Sequence, residues 1–430
     1  MQKLYYPEDK LPLSRLIPMG MQHVVAMFGA TVLAPILMGF NPQTAIFFSG
    51  AGTLIFIAIT RAKVPSYLGS SFAFIGPVLA VTGGMAENIP YALSGIAGAA
   101  ALYAVAAAVT MKYGPKWVDR LMPPVVTGAV VALIGLNLSS SAVANFFNQD
   151  FSLQTHGDAL RLLVACVTFV VAASVSIYLK GFMRLLPILT GVVAGYVLSL
   201  ALGIVDLASL EAIRQAPWAG LPPFVAPVFS FKAILVIAPV FVVLVAENKG
   251  HIEAISGFMK RDLNPHLGRA YLGDAVATFV SAMGGGTPQT TYAENMGVMA
   301  ITRVFSVYNF IAAACIALLL GLCPKFGAVI QSIPAPVLGG VTVILYGLIA
   351  IMGIKIWLDA KVDFCSHKNL IIAGSSIIIS TGLGVKGFTA GGMNIAGIAF
   401  GTVLAVVMNL VLSFGGKDRD ADRQDAEACG

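Results

Sequence analysis

Apolar runs close to the roughly 20 residues with which a helix crosses a bilayer recur along almost the whole of this 430-residue chain. They occupy 17–38, 43–60, 66–82, 92–111, 122–140, 159–179, 185–205, 233–248, 270–283, 288–302, 305–323, 336–353, 368–384 and 392–414. A backbone surrounded by lipid must satisfy its own hydrogen bonds, and an α-helix does so within one segment. The sequence therefore predicts an all-α polytopic membrane protein of about fourteen segments. Charged residues are 11% of the chain, against about 25% in soluble domains, so a short polar head and a polar tail after Gly415 are all that lies outside this pattern. The head, Met1 to Arg15, lacks a cleavable signal pattern, and the first helix is expected to stay as an anchor.

Basic residues supply the orientation. Lys3, Lys10 and Arg15, then Arg61 and Lys63, then Lys112, Lys116 and Arg120, and so on to Lys417, Arg419 and Arg423, gather at every second connection. The positive-inside rule then puts both termini in the cytoplasm. The net charge of +6 reports these loops, because no basic run or stripe suited to nucleic acid is present. The five cysteines, Cys166, Cys315, Cys323, Cys365 and Cys429, follow neither a disulfide framework nor zinc spacing and read as small buried apolar residues. No metal or cofactor is expected.

The chain also repeats itself. Pro124 to Leu136 matches Pro336 to Leu348 at the Pro, Val, Gly, Val, Leu, Gly and Leu positions. Gly191 to Leu198 and Gly397 to Leu404 repeat the signal at nearly the same offset, and Ser71-Phe72-Ala73 pairs with Thr291-Tyr292-Ala293. Half of the segments is an odd number, so the second half must enter from the opposite face. Two inverted seven-segment repeats, 1–210 and 211–415, followed by a cytoplasmic tail at 416–430, are the expected organisation.

Segments three and ten hold equivalent places in the two halves, and both are broken. Glycines from Gly284 to Gly286 with Pro288 interrupt one, and Pro65 with Gly69 the other, so each should form a short strand plus a half-helix. Such a pair marks a transporter's binding site and should face across it. A helix restarting near Thr291 or Tyr292 turns free N–H groups into the protein at mid-membrane, and Phe72 lies at the other break. Just inside the later break come Glu294 and Asn295. A charge at the centre of a membrane helix costs about 2.5–3.5 kcal/mol, so Glu294 is read as functional. The other ionisable candidates are His23, the pair Glu247 and His251 at the end of segment eight, four apart and so on one helix face, and Asp274 near the start of segment nine. Plainer readings exist: a hydrogen-bonded core histidine for His23, a partner for Lys249 in Glu247, a helix-start contact for Asp274, and packing for Phe72 and Tyr292.

These stretches resemble a known family. Glu294-Asn295-Met296-Gly297 leading to Thr302-Arg303, Gln22-His23 followed by Met27 to Thr31, Tyr67 to Phe74, Ala246-Glu247 with Gly250-His251, and Pro336 to Leu348 are similar to the nucleobase/ascorbate transporters (nucleobase:cation symporter 2), and among them the bacterial uracil permeases. The resemblance spans essentially the whole chain. It implies fourteen segments in inverted repeats, a core domain moving against a gate domain, and a homodimer. Carried over by position, it makes Glu247 and Glu294 the carboxylates that hold a base, Phe72 and Ala293 backbone donors at the two breaks, and Tyr292 a wall. It makes His251 and Tyr346 neighbours in the coupling network, with His23 and Asn295 in support. The chain departs from the uracil permeases, which resemble Glu-His-Val-Gly-His, by reading Glu247-Asn248-Lys249-Gly250-His251; Ala293 replaces a more familiar Gly.

The implied activity is secondary active import of uracil with protons across a bacterial-type cytoplasmic membrane. Uracil alternates N–H donors with carbonyl acceptors, which two carboxylates and two helix-start amides can match, and losing such a buried match can discriminate by about 10⁴-fold. Purine-selective relatives resemble a Gln-Asn form at 294–295, so Glu294 favours a pyrimidine. A buried glutamate beside a histidine is a proton carrier in kind, whereas sodium would want a cluster of converging oxygens. Alternatives are a xanthine, urate or broader nucleobase symporter, and a passive channel or anion exchanger of the same architecture. An intramembrane enzyme finds no His-Glu-x-x-His, Gly-x-Ser-x-Gly or paired-aspartate motif.

Overall fold

The structure is a computed structural model that describes residues 4–147, 155–385, 387–390 and 393–415. The tail expected at 416–430, with Cys429, lies outside the described residues. The first half runs α1 (Leu13–Met38), α2 (Pro42–Ile59), β1 (Leu68–Ser70), α3 (Ile75–Thr82), α4 (Ile89–Tyr113), α5 (Lys116–Leu121), α6 (Pro124–Phe147), α7 (His156–Tyr178) and α8 (Pro187–Ala201). The second runs α9 (Leu207–Gln215), α10 (Phe231–Ile237), α11 (Phe241–Met259), α12 (Leu267–Met283), β2 (Gln289–Thr291), α13 (Ala293–Thr302), α14 (Val307–Gly321) and α15 (Pro324–Gln331). It closes with α16 (Ala335–Asp359), α17 (His367–Leu383), the hairpin β3 (Phe388–Ala390) and β4 (Met393–Ile395), and α18 (Gly397–Gly415).

Every apolar run contains a helix. By length and composition, seven helices of the described residues suffice to cross a membrane, or eight if α14 and α15, bent by 81°, count as one span. Local chemistry sets the boundaries. Gly39 ends α1 at φ 81°, a left-handed conformation that costs glycine nothing, and Asn41 caps α2 by accepting from the Gln43 and Thr44 amides. Pro239, lacking an amide hydrogen, sits in the 3₁₀ turn Ala238–Val240 that joins α10 to α11.

Three expectations change. The eighth segment does not end near residue 248: α11 continues to Met259, so Glu247 and His251 stand within the helix. Its later turns carry Lys249, His251, Glu253 and Ser256, which ends the apolar run without ending the helix. Short helices α5, α9 and α15 and the β3–β4 hairpin were not anticipated, being too short for a periodic signal. The cysteines are also less buried than expected: Cys315 is exposed and Cys166, Cys323 and Cys365 are half-buried, on outward helix faces and loops.

Helices sort into two packed groups, each drawn from both halves of the chain. One joins α1, α2, α4, α10, α12 and α14; the other joins α6, α7, α8, α16, α17 and α18. In the second group α6 and α16 touch backbone to backbone. A Cβ on Gly135 would lie 2.3 Å from the Tyr346 carbonyl oxygen, and one on Gly353 would lie 2.4 Å from the Ala132 nitrogen. Small residues bring membrane helices this close because lipid offers no hydrophobic drive to hold them together otherwise.

The two broken segments meet. β1 and β2 pair antiparallel, Leu68 opposite Thr291, Gly69 opposite Thr290 and Ser70 opposite Gln289, and all six residues are buried. A two-stranded ribbon leaves two open edges, which cannot face lipid. Hydroxyls close them. On the β1 side Thr53 Oγ1 of α2 accepts from the Leu68 amide at 2.9 Å, and Ser49 Oγ donates to the Leu68 carbonyl at 3.0 Å. On the β2 side Thr278 of α12 both accepts from the Gln289 amide and donates to its carbonyl, each at 3.0 Å. Non-helical backbone is thus held inside the helix bundle with its hydrogen bonds made.

Candidate functional site

From this ribbon the two half-helices set out. The turn beginning at Phe72 and the helix beginning at Ala293 both start without a side-chain cap, at Ser71 and Tyr292 respectively, so their first amides stay free to donate. Tyr292 is fixed as a wall. Its hydroxyl donates to the Ser70 carbonyl at 3.0 Å and accepts from Thr31 of α1 at 3.3 Å. Its ring lies flat over the ribbon, where a Cβ on Gly69 would fall 2.4 Å from Cζ, so only glycine fits beneath it.

The remaining candidates gather around the same two helix starts. His251 Nδ1 on α11 is 2.7 Å from Thr291 Oγ1, which ties α11 to the ribbon, and Glu247 stands one turn earlier on the same helix. Asn295 Nδ2 reaches across to α1, 3.1 Å from His23 Nδ1 and donating to the His23 carbonyl at 3.0 Å. His23 in turn rests on Phe310 with ring centres 4.4 Å apart. Phe72 packs edge-on against Tyr346 of α16 at 6.2 Å, which links the ribbon to the second helix group. All nine predicted residues, Phe72, Glu247, Tyr292, Ala293, Glu294, His251, Tyr346, His23 and Asn295, therefore belong to one neighbourhood.

Several of its polar atoms are buried and make no hydrogen bond: Glu247 Oε2, His23 Nε2, Asn295 Oδ1 and Tyr346 OH. Leaving such a group unpaired costs about 1–3 kcal/mol, so this density of acceptors and donors is what a polar ligand site requires. A cavity of about 330 Å³ opens beside it between the two helix groups, with Leu37, Ile75, Leu79, Asn145 and Tyr346 in its wall.

The structure also accounts for the unusual Asn248-Lys249 pair. Asn248 Nδ2 donates to Asp274 Oδ2, both fully buried, so Asp274 is a core member of the polar layer and not a helix-start contact. Lys249 does not pair with Glu247. It turns the other way, to Asp119 on α5 and to Glu253 at 3.5 Å, running a buried stem out to carboxylates that are half in solvent. Ion pairs whose carboxylates stay half in solvent contribute about 1 kcal/mol. Lys249→Met is therefore expected to shift the thermal midpoint of the purified protein by no more than about 4 °C. A larger drop in a melting scan would mean that the ion pair carries more of the fold than its exposure allows.

Reasoning from sequence gave Asp274 only a helix-start contact and passed over the hydroxyls of Ser49, Thr53, Thr278 and Ser281, the last of which donates to the Thr287 carbonyl at 2.6 Å. A signal existed for the hydroxyls: they recur three or four residues apart on α2 and α12, the spacing of one helix face turned toward something polar. Asp274 carried the same signal as Glu294, a carboxylate within an otherwise apolar segment.

A bundle of apolar helices enclosing a broken-helix polar site defines a multi-pass membrane transporter and not an enzyme. More specifically, the chain belongs to the Permease family, whose sequence profile matches residues 14–389. It is 44% identical over 415 residues to RutG of Escherichia coli K12, a provisionally described pyrimidine permease, covering 95% of this chain and 91% of that one. It is 40% identical over 416 residues to the uracil permease of Bacillus caldolyticus, with 94% of each chain covered. To the uracil permease of Escherichia coli K12 it is 39% identical over 405 residues, covering 94% of this chain and 92% of that one. Among solved structures, the transmembrane domain of the cyanobacterial bicarbonate transporter BicA shares the fold at a TM-score of 0.65 and 16% identity, over 95% of this chain and 100% of that one. The murine anion transporter Slc26a9 in its inward-facing state does so at 0.65 and 12%, over 95% and 70%.

Proposed function

We propose that this protein imports uracil together with a proton, by alternating access of a core domain against a gate domain. The reading rests on one arrangement: two uncapped helix starts at Phe72 and Ala293, with Glu294 in the first turn of one of them and α11, which carries Glu247, held to the ribbon by the His251–Thr291 contact. The carboxylates accept from the ring N–H groups of uracil and the amides donate to its carbonyls, with Tyr292 as the wall. Relatives of 39–40% identity that are uracil permeases support the substrate. His251, Tyr346, His23 and Asn295 form the surrounding network through which a proton is exchanged, with Glu247 and His251 nearest the ligand. The ribbon-bearing helix group acts as the core and the α6–α16 group as the gate, and the cavity beside Tyr346 is the approach between them. The inverted repeats over 1–210 and 211–415, a homodimer, and a cytoplasmic membrane with both termini inside complete this reading.

The anion-transporter likeness is one of fold alone. A pair of carboxylates at the helix starts repels an anion, which favours a neutral base over an anion exchanger.

The test is uptake of radiolabelled uracil into proteoliposomes under an inward proton gradient, with and without a protonophore, and with excess xanthine as competitor. Accumulation that the protonophore abolishes and xanthine leaves intact is expected. Glu294→Gln, which turns one acceptor face into a mixed donor and acceptor, is expected to weaken uracil and raise xanthine competition by about tenfold or more. Uptake that only equilibrates would overturn the symport, and unchanged selectivity in Glu294→Gln would overturn the assignment of that residue.

A further inference from the structure

Away from the transport site, a second cleft of about 340 Å³ opens where the end of α4 meets the turn into α12. Its walls are Thr110, Met111 and Gly114 on one side and Asn264, His266 and Arg269 on the other. At its base the helices touch: a Cβ on Gly268 would lie 2.5 Å from Met111 Cγ and 2.9 Å from the Met111 nitrogen. The cleft lies at connections rich in basic residues, with Lys112, Lys116 and Arg261 next to its wall residues in sequence and Arg61 and Lys63 after α2, and the positive-inside rule turns such connections to the cytoplasm.

The charge here is not neutralised. Arg261 is held by Glu8 at 3.0 Å, and Asp262 Oδ1 accepts from the Asn264 amide at 2.9 Å. Arg269 and Lys63 have no ion-pair partner among the described residues. Thr110 is satisfied, accepting from Trp117 Nε1 at 3.1 Å and donating to the Ala106 carbonyl, but His266 Nδ1 is buried and unbonded. Partial burial, and then the positive charges of Arg269, Lys63 and Arg261, outweigh Asp262 and hold His266 below its ordinary pKa. A neutral imidazole keeps one ring nitrogen able to donate. Beside the mouth, Met111 and Tyr113 of α4 are 49% and 68% exposed, an apolar track running from a cationic pocket along the helix surface.

We propose that this cleft binds the phosphodiester of an anionic membrane lipid, with Arg269 and Lys63 supplying the charge, His266 a hydrogen bond, and the acyl chains lying along Met111 and Tyr113. Basic pockets between membrane helices on the cytoplasmic side suit such headgroups, and each Lys or Arg near the surface attracts them about fivefold. The cleft joins α4 to α12, both in the helix group that carries the ribbon, so an occupying lipid would brace that group from the membrane side.

Native mass spectrometry of the full chain, released from bilayer nanodiscs of equal phosphatidylglycerol and phosphatidylcholine, tests this. Retention of phosphatidylglycerol over phosphatidylcholine is expected, falling about fivefold for each of Arg269→Gln and Lys63→Gln. Arg269→Lys should restore it, and Lys355→Gln on α16 should leave it unchanged. Equal retention of the two lipids, or a preference that survives the double substitution, overturns the site. If millimolar inorganic phosphate strips the lipid from the wild-type chain, the pocket recognises a free phosphate and the lipid assignment falls.

Discussion

Glu247→Gln is expected to lower uracil binding and uptake by about 10- to 100-fold, with the protein still folded. Glutamine has the shape of glutamate but presents an amide donor on one side where, in the proposed site, the ligand would present N–H. A hydrogen bond to a charged group contributes about 1.5–3 kcal/mol, and the substitution removes one while leaving a buried donor opposed to another donor. Glu247 already has an oxygen, Oε2, that is buried with no partner inside the protein and so is open to a ligand N–H. Calorimetric titration of the purified variant with uracil, beside its melting curve, separates the two effects. Wild-type affinity in a stable variant would remove Glu247 from the binding site.

The second large effect is structural. Gly353→Ala is expected to lower the thermal midpoint by about 5 °C or more. The added carbon would meet the Ala132 nitrogen at 2.4 Å and the Gly128 carbonyl oxygen at 2.5 Å. Both are backbone atoms, which cannot turn aside as a side chain could, so α6 and α16 must separate along their contact. Gly374→Ala on α17 is the matched control, because nothing lies within 4 Å of the position its Cβ would take. Equal melting curves for the two variants would show that α6 and α16 do not hold each other at this close approach.

The two predictions draw on different kinds of information. Glu247 stood out in the sequence because charge at membrane depth is costly, and cost is readable one residue at a time. The same holds for Glu294 and for the breaks at Gly284–Gly286 and Pro288. Gly353 did not stand out, since glycine is common in membrane helices and only the partner backbone shows which of the 45 glycines are tight. The extent of α11 was misread for a related reason: hydropathy reports where a helix faces lipid, not where its hydrogen bonding stops. Asp274 was assigned a plain role although its sequence signal matched that of Glu294, because its partner Asn248 lies on another helix.

What the sequence determined by itself was the membrane class, the helical content, the two broken segments and the kinds of side chain beside them. Each follows from the balance between lipid and backbone polarity, which acts segment by segment. What only the tertiary structure decided was the pairing of β1 with β2, the Ser and Thr hydroxyls that close the ribbon's edges, the link from Asn295 to His23, and the turning of Lys249 away from Glu247 toward Asp119. These join residues up to 272 positions apart. No local pattern encodes them, because a polar group buried in a membrane protein is satisfied by whichever helix packing brings within reach.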